Sequence, residues 1–491
     1  MICISVTPTS RKLAKVDLLN ASRHCDLIEL CLDHLAKEPD VGEMISGIDK
    51  PILVSCRRVE DGGHWKGTDE DRFQWLRNAI VAGPAYVELD LETAKRIPRF
   101  GDTKRVVSYT SLDRPLNNVD SIFEEAAGVK ADVVKFTWPT TTLEAAWPLL
   151  VAVSKKSNLP AVGIGLGGSG ITFSLLGRRY GSPWIYAALE KGMETHPEQA
   201  TVWELDEIYG WSGIGPKTRF VGVIGSGHAS ITMIKILNRC FQEVDVDLRC
   251  LPLQPESTGT LSKMLDILKI KTMIINPHVG DLLSNFADQI EDSVQKSGYA
   301  DLLLKRPDGW HAYNCISRAV LKSLEKSLGK GADNEQPLDR RNVLLIGANA
   351  LSKAIAHGII RRQAVLSVTG PDDKLAQQTA KAMDIRYVPF ANLYDTLADV
   401  VIISEENLAL GHRKQEFNSS YLRPHMTVLE FKDYPLPSVL TDESRVRNCQ
   451  LVDCIDIFLD QLGVQFKSIV GQELPRDLTR DMLSEAMSEA L

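Results

Sequence analysis

Short β-branched and aliphatic runs alternate with helix-spaced segments through the first part of the chain: "ICISV", "LIELCL", "PILVSC", "AYVELDL", "RVVSYT", "ADVVKF", "PAVGIG" and "WIYAAL". Parallel strands are covered on both faces and read as nearly continuous apolar stretches, so eight such runs with crossovers between most of them predict a closed (β/α)8 TIM barrel. In that architecture chemistry gathers at the carboxyl ends of the strands. Glu29, Arg57, Asp90, Thr110 and Lys135 stand at those ends.

The pattern changes at "ELDEIYGWSGIGPKTR", residues 204–219, which is rich in turn-formers and precedes a new strand, "FVGVIG". A domain boundary is expected near 215. A second αβ unit follows to about 325, and the polar "GKGADNEQPLDRR" leads into "NVLLIGANALSKAIAHGI" and then "AVLSVTG". Strand, tight turn, helix and strand in that order open a doubly wound, Rossmann-like nucleotide-binding unit. The last segments, "CIDIFLDQLGVQFKSI" and "LTRDMLSEAM", have helical apolar spacing and are expected to pack back on the αβ unit. The expected organisation is α/β throughout: a barrel over 1–215, an αβ substrate unit over 216–325, a Rossmann-like unit over 326–450 and closing helices over 451–491.

Composition narrows the function. The chain has 491 residues, 44% hydrophobic and 24% charged, with a net charge of -8, which argues against a nucleic-acid surface. Its nine cysteines form no Cys-x-x-Cys pair and several sit in apolar runs, so reduced thiols in the cytoplasm are expected and no metal site is. The start "MICISVTPTSRK" lacks the pattern of a secretory leader, and no apolar run is long enough to span a bilayer. The expected partner is a small molecule, with neither nucleic acid nor membrane involved.

Lys135 closes the apolar run "ADVVKF", and an unpaired buried ammonium is costly. Two readings are open. Lys135 is a nucleophile that condenses with a ketone to form an imine, acidifying the neighbouring C–H, or it is a rim cation paired with Glu29 or Asp90.

The ordered pieces "IELCLDHL", "PILVSCRRVEDGG", "AYVELDLE", "RVVSYTSLDRP", "ADVVKF", "GLGGSG", "RRYGSPWIYAAL" and "HPEQ" resemble type I 3-dehydroquinate dehydratase over nearly all of residues 1–205. The resemblance implies that Lys135 forms the imine with dehydroquinate and that Glu29, Arg57 and Gln199 occupy family positions. It also exposes departures. Thr110 stands where the family has its proton-shuttling histidine, Cys31 and Ser174 where it has arginines on the substrate, and Asp90 where a glutamate is usual. A threonine hydroxyl does not titrate near neutral pH, so the dehydration is expected to be impaired.

Residues 216–475 resemble shikimate dehydrogenase through "FVGVIGSGH", "MIINPHVGD", "PDGWHAYNCIS", "NVLLIGANALSKAI", "VLEFKDYPLP" and "IDIFLDQLGVQFKSIVGQ". The order of the two halves matches the fused bifunctional dehydratase/dehydrogenase. The resemblance implies a dehydroquinate- or shikimate-like substrate and NADP or NAD. Gln461 matches the substrate-binding glutamine, Ser230 and Thr232 lie near the hydroxyl-bearing loop, and His278 is retained. Where the family has its catalytic lysine and aspartate, this chain has Val279 and Ile316, so hydride transfer is expected to be lost. In "GANALS", Gly347 keeps the first glycine of the phosphate turn, whereas Asn349 and Ser352 replace the others. Asp372 and Asp373 after the next strand would repel a 2′-phosphate, which favours NAD over NADP. Two alternatives accompany this reading: a non-catalytic binding or regulatory relative, and a Lys135 enzyme acting on another carbonyl compound.

Overall fold

The computed structural model describes the chain except residues 117, 155–158, 226, 277–285, 330–335, 406–407, 412–415, 432–434, 437 and 490–491. It divides into two compact units, Met1–Arg219 with Leu251–Leu261, and Phe220–Cys250 with Ser262–Leu491.

The first unit is a near-closed parallel barrel. Its strands are β1 (Ile2–Val6), β2 (Leu27–Cys31), β3 (Ile52–Ser55), β4 (Tyr86–Asp90), β5 (Lys104–Thr110), β6 (Val133–Pro139), β7 (Ala161–Leu166) and β8 (Ile185–Ala187). They are hydrogen-bonded in the order β7-β6-β5-β4-β3-β2-β1-β8. Alternate residues point inward: Cys3, Leu27, Leu53, Val106, Val133, Val162, Ile164, Trp184 and Tyr186 form one buried cluster. Strand side chains repeat every two residues, so Glu29, Glu88 and Lys135, at even offsets from Leu27, Tyr86 and Val133, point inward too, nearer the carboxyl ends. All three are buried.

The chain continues into a six-stranded mixed sheet made of β9 (Arg219–Ile224), β10 (Leu248–Leu253), β11 (Thr272–Ile275), β12 (Gln289–Ile290), β13 (Leu302–Arg306) and β14 (Gly309–Tyr313), ordered β10-β9-β11-β13-β14-β12. β9 and β11 run parallel, while β13 pairs antiparallel with both β11 and β14. The third sheet comprises β15 (Asn342–Ile346), β16 (Val365–Thr369), β17 (Arg386–Tyr387), β18 (Val400–Ile403), β19 (Thr427–Glu430) and β20 (Gln450–Leu451). Its order, β17-β16-β15-β18-β19-β20, with every pair parallel, is that of a doubly wound dinucleotide fold. Leu344, Ile346, Val401, Ile403, Phe417 and Val428 lead the core on one of its faces. The helix Cys454–Val470 packs against the helix Cys315–Leu328, and Phe466 stacks on Phe241 with ring centroids 5.5 Å apart.

The architecture is the α/β one expected: a TIM barrel followed by two αβ sheets, the second Rossmann-like. No helix among the described residues is long and apolar enough to cross a membrane.

Candidate active site in the barrel

Lys135 sits in the middle of β6, 1% exposed. Its Nζ donates to Glu88 Oε2 at 2.6 Å and lies 3.7 Å from Glu29 Oε1. The Tyr186 ring lies beneath the ammonium, 4.7 Å from Nζ to centroid. Arg57, just past the end of β3, brings Nη2 to 3.7 Å from the same Glu29 oxygen. The barrel mouth thus encloses two cations and two carboxylates, a charge-balanced quartet.

The two carboxyls are driven apart. Burial alone would raise Glu29, but Arg57, Lys135 and the Ser5 hydroxyl, which donates at 2.6 Å, outweigh it and hold the group at about 2. For Glu88 burial wins over Lys135 and Arg57, and the nearby Glu29 charge adds to it, so this carboxyl is raised. One acid stays ionised while its neighbour takes up a proton more readily, the usual signature of separate roles.

Asp90, expected at this mouth, requires correction. Its carboxylate caps the helix Leu91–Arg96 by accepting from Thr93 N at 2.9 Å, and Arg72 Nη2 donates to it at 3.0 Å. The carboxylate that meets Lys135 is Glu88, two residues earlier on the same strand. From the sequence Asp90 is singled out and Glu88 is passed over; both lie on the same face of β4, and the cap at the following helix distinguishes them.

Thr110 ends β5, half-buried and level with Thr137, while Lys135 is level with Ser108. Cys31 is fully buried; its thiol receives Arg57 Nη2 at 3.3 Å, and burial pushes it up, so it remains neutral. Gln199 is buried, its Oε1 accepting from Thr195 N at 2.8 Å, while its Nε2 has no partner among the described residues. Ser174 lines a small cavity with Gln199, Tyr186 and His196. His196 was not singled out by the sequence; burial pushes its imidazole down to about 4, so it is neutral near pH 7.

In the second unit, Ser230 is buried and accepts from Asn276 Nδ2 at 3.0 Å, and Thr232 on the same helix is also buried. Gln461 donates to Asp301 Oδ2 at 3.0 Å. Asp301 also accepts from the backbone N–H groups of Cys315 at 2.8 Å and Ile316 at 2.7 Å, at the start of the helix Cys315–Leu328. Burial outweighs these bonds and raises its carboxyl to about 6. Asp301 is therefore a buried acid one residue contact from Gln461, which the sequence reading missed. The Ile316 side chain is fully buried. His278 and Val279 lie outside the described residues.

At the phosphate turn, Gly347 has φ +129°, and a Cβ there would lie 2.6 Å from Ser404 Oγ, so glycine is required. Asn349 caps the helix Ala350–Ile360: its Oδ1 accepts from Ser352 N and Oγ, both at 2.9 Å, and its Nδ2 donates to Ser404 O at 2.8 Å. Ser352 Oγ lies 2.7 Å from Ser404 Oγ. Asp372 caps the next helix by accepting from Leu375 N at 3.0 Å, and Asp373 accepts from Tyr387 OH at 2.8 Å.

A parallel barrel with an inward lysine ringed by carboxylates, followed by a doubly wound sheet, defines a class, and comparison with known proteins agrees. Residues 2–216 match the family described as Type I 3-dehydroquinase. A bifunctional 3-dehydroquinate dehydratase/shikimate dehydrogenase, chloroplastic, of Arabidopsis thaliana is 22% identical over 99% of this chain and 84% of its own. A 3-dehydroquinate dehydratase of Methanocaldococcus jannaschii is 27% identical over 43% of this chain and 97% of its own. A solved shikimate dehydrogenase in complex with NADP+ is 17% identical and covers 56% of this chain and 97% of its own, with a TM-score of 0.49. Residues 2–216 thus carry the likeness to the Type I 3-dehydroquinase family, and the chain as a whole is similar to a bifunctional 3-dehydroquinate dehydratase/shikimate dehydrogenase.

Proposed function

We propose that the barrel is an imine-forming site on a dehydroquinate-like ketone, with Lys135 as nucleophile, and that the second half is a shikimate dehydrogenase-like module without hydride-transfer chemistry. The observation that carries this reading is Lys135 held at 2.6 Å from a raised carboxyl, Glu88. Imine formation needs a neutral amine. A proton passed from Nζ to Glu88 supplies it; Nζ then adds to the carbonyl carbon, and loss of water leaves C=N. Glu29, ionised beside Lys135 and Arg57, stabilises the cationic iminium.

The steps that follow are the weak ones. Removing the proton next to the imine and delivering one to the departing hydroxyl call for a titratable group, and Thr110 offers none. Such a loss slows proton transfer by roughly 10² to 10⁴. Arg57 remains to hold an anionic substrate group, while Cys31 and Ser174 supply no fork for a carboxylate.

For the dinucleotide, the turn residues fit poorly. The Ser352 N–H and the Asn349 amide are committed to one another and to Ser404, and Asp372 and Asp373 put negative charge where the 2′-phosphate of NADP would sit. NAD is the better match through Gly347 alone, and no reaction step is assigned to it. We take the four-part division at about 215, 325 and 450 as the functional organisation.

Sodium borohydride with 3-dehydroquinate tests the proposal. Intact-mass and peptide mass spectrometry should find a reduced adduct on Lys135 that is absent from Lys135→Ala. An unmodified wild-type protein would support the binding-module alternative.

A further inference from the structure

The carboxyl ends of β2 and β3 carry a second constellation that the imine reading does not use. Asp33 and His34 lie in the tight turn Leu32–His34 directly after β2. His64 comes from the loop after β3, which doubles back at Gly63, where a Cβ would meet Arg57 O at 2.2 Å. Asp33 joins the two loops, its Oδ1 accepting from Arg57 N at 3.2 Å and its Oδ2 from His64 N at 2.9 Å.

These bonds explain why an aspartate is buried there. They do not explain the histidines. The two imidazoles lie against each other with centroids 4.1 Å apart and planes tilted by 42°, and His34 Nε2 stands 3.8 Å from Asp33 Oδ2, too far for a hydrogen bond. Neither ring is hydrogen-bonded to a described residue. One ligand atom from each of Asp33, His34 and His64 falls within 4.8 Å of the other two. The group borders a cavity of about 530 Å³ whose wall includes Trp65, Lys66, Asp71 and Trp75.

We infer that Asp33, His34 and His64 form a binding site for a borderline divalent cation of the zinc type, with its remaining coordination positions open to the cavity. Two imidazoles and one carboxylate suit such an ion, whereas calcium and magnesium prefer oxygen ligands alone. Three protein ligands leave room for water or an anionic ligand, as in sites that are not purely structural. A bound ion would also bridge the two imidazoles that lie against each other and clip together the loops that follow β2 and β3. The site uses neither Lys135 nor its carboxylate partners Glu29 and Glu88, so metal uptake is read separately from the imine.

The test uses the full chain, stripped with a chelator and titrated with zinc chloride in a calorimeter. One equivalent should bind, and His64→Ala, altered at an exposed side chain, should weaken binding at least about 100-fold without changing the circular dichroism. His34→Ala should do the same. Cobalt(II) in place of zinc should show visible bands without thiolate charge transfer, because the nine cysteines take no part. No uptake by the wild type, undiminished uptake in the double histidine variant, or a thiolate band would each overturn the assignment.

Discussion

Glu88 and Asp90 lie two positions apart on β4 and share its inward face, yet they carry different burdens. Glu88 meets Lys135 in the barrel mouth, whereas Asp90 binds Arg72 and caps a helix. Glu88→Gln should therefore depress borohydride trapping on Lys135 by about 10² to 10⁴, with far-UV circular dichroism retained. Asp90→Ala should leave trapping intact and lower stability by about 1–3 kcal/mol, read from denaturant melts, since it removes a cap and the 3.0 Å ion pair of the buried Arg72. Much of this was legible beforehand: the alternation "AYVELDLE" marks Glu88 as inward as clearly as Asp90. The signal that would have separated them is Asp90 three residues before Thr93 at the head of a helix, a capping pattern and not a catalytic one. The histidine pair beside Asp33 was harder to foresee, because His34 and His64 are separated by twenty-nine residues and come side by side only once β2 and β3 pair.

Among elements, strands and crossovers were legible because parallel strands are apolar throughout and their helices amphipathic. The two-residue strands β12, β17 and β20 were not, because a ladder that short is set by its neighbours and leaves no periodicity of its own. The helix Cys315–Leu328 shows a further limit. Its first turn is capped from outside by Asp301, a residue on the opposite side of a hairpin, so no local sequence motif announces the contact. That carboxyl is raised from 3.8 to about 6, so the folded chain keeps its proton to higher pH than the unfolded chain does. The contribution is fully present at low pH and is lost as pH climbs through this window. Asp301→Asn should flatten the curve: between pH 4 and 7 the wild type should lose on the order of 2 kcal/mol that the variant keeps, as measured by urea unfolding at each pH.

On the scale of the whole molecule, the two halves differ in what they retain. The barrel holds its lysine, two acids and an arginine in mutual contact. The second unit has the doubly wound strand order, but its phosphate turn is bonded to itself and Ile316 offers no ionisable group. We expect purified full-length protein to give no shikimate-dependent reduction of NADP in a spectrophotometric assay under conditions that yield the Lys135 adduct. Turnover with shikimate would show that a proton relay exists elsewhere, with Asp301 beside Gln461 the first residue to vary.

The balanced quartet in the barrel has one more implication, for what the persistence of a side chain means. Lys135, Arg57, Glu29 and Glu88 neutralise one another in a space that water scarcely reaches, and deleting any one would strand an ion at a cost of several kcal/mol. A descendant that had abandoned its reaction would still lose stability by giving up any of the four. Survival of the lysine in a relative is thus a record of architecture first, and only direct chemistry on a ketone can tell an idle heirloom from a working tool.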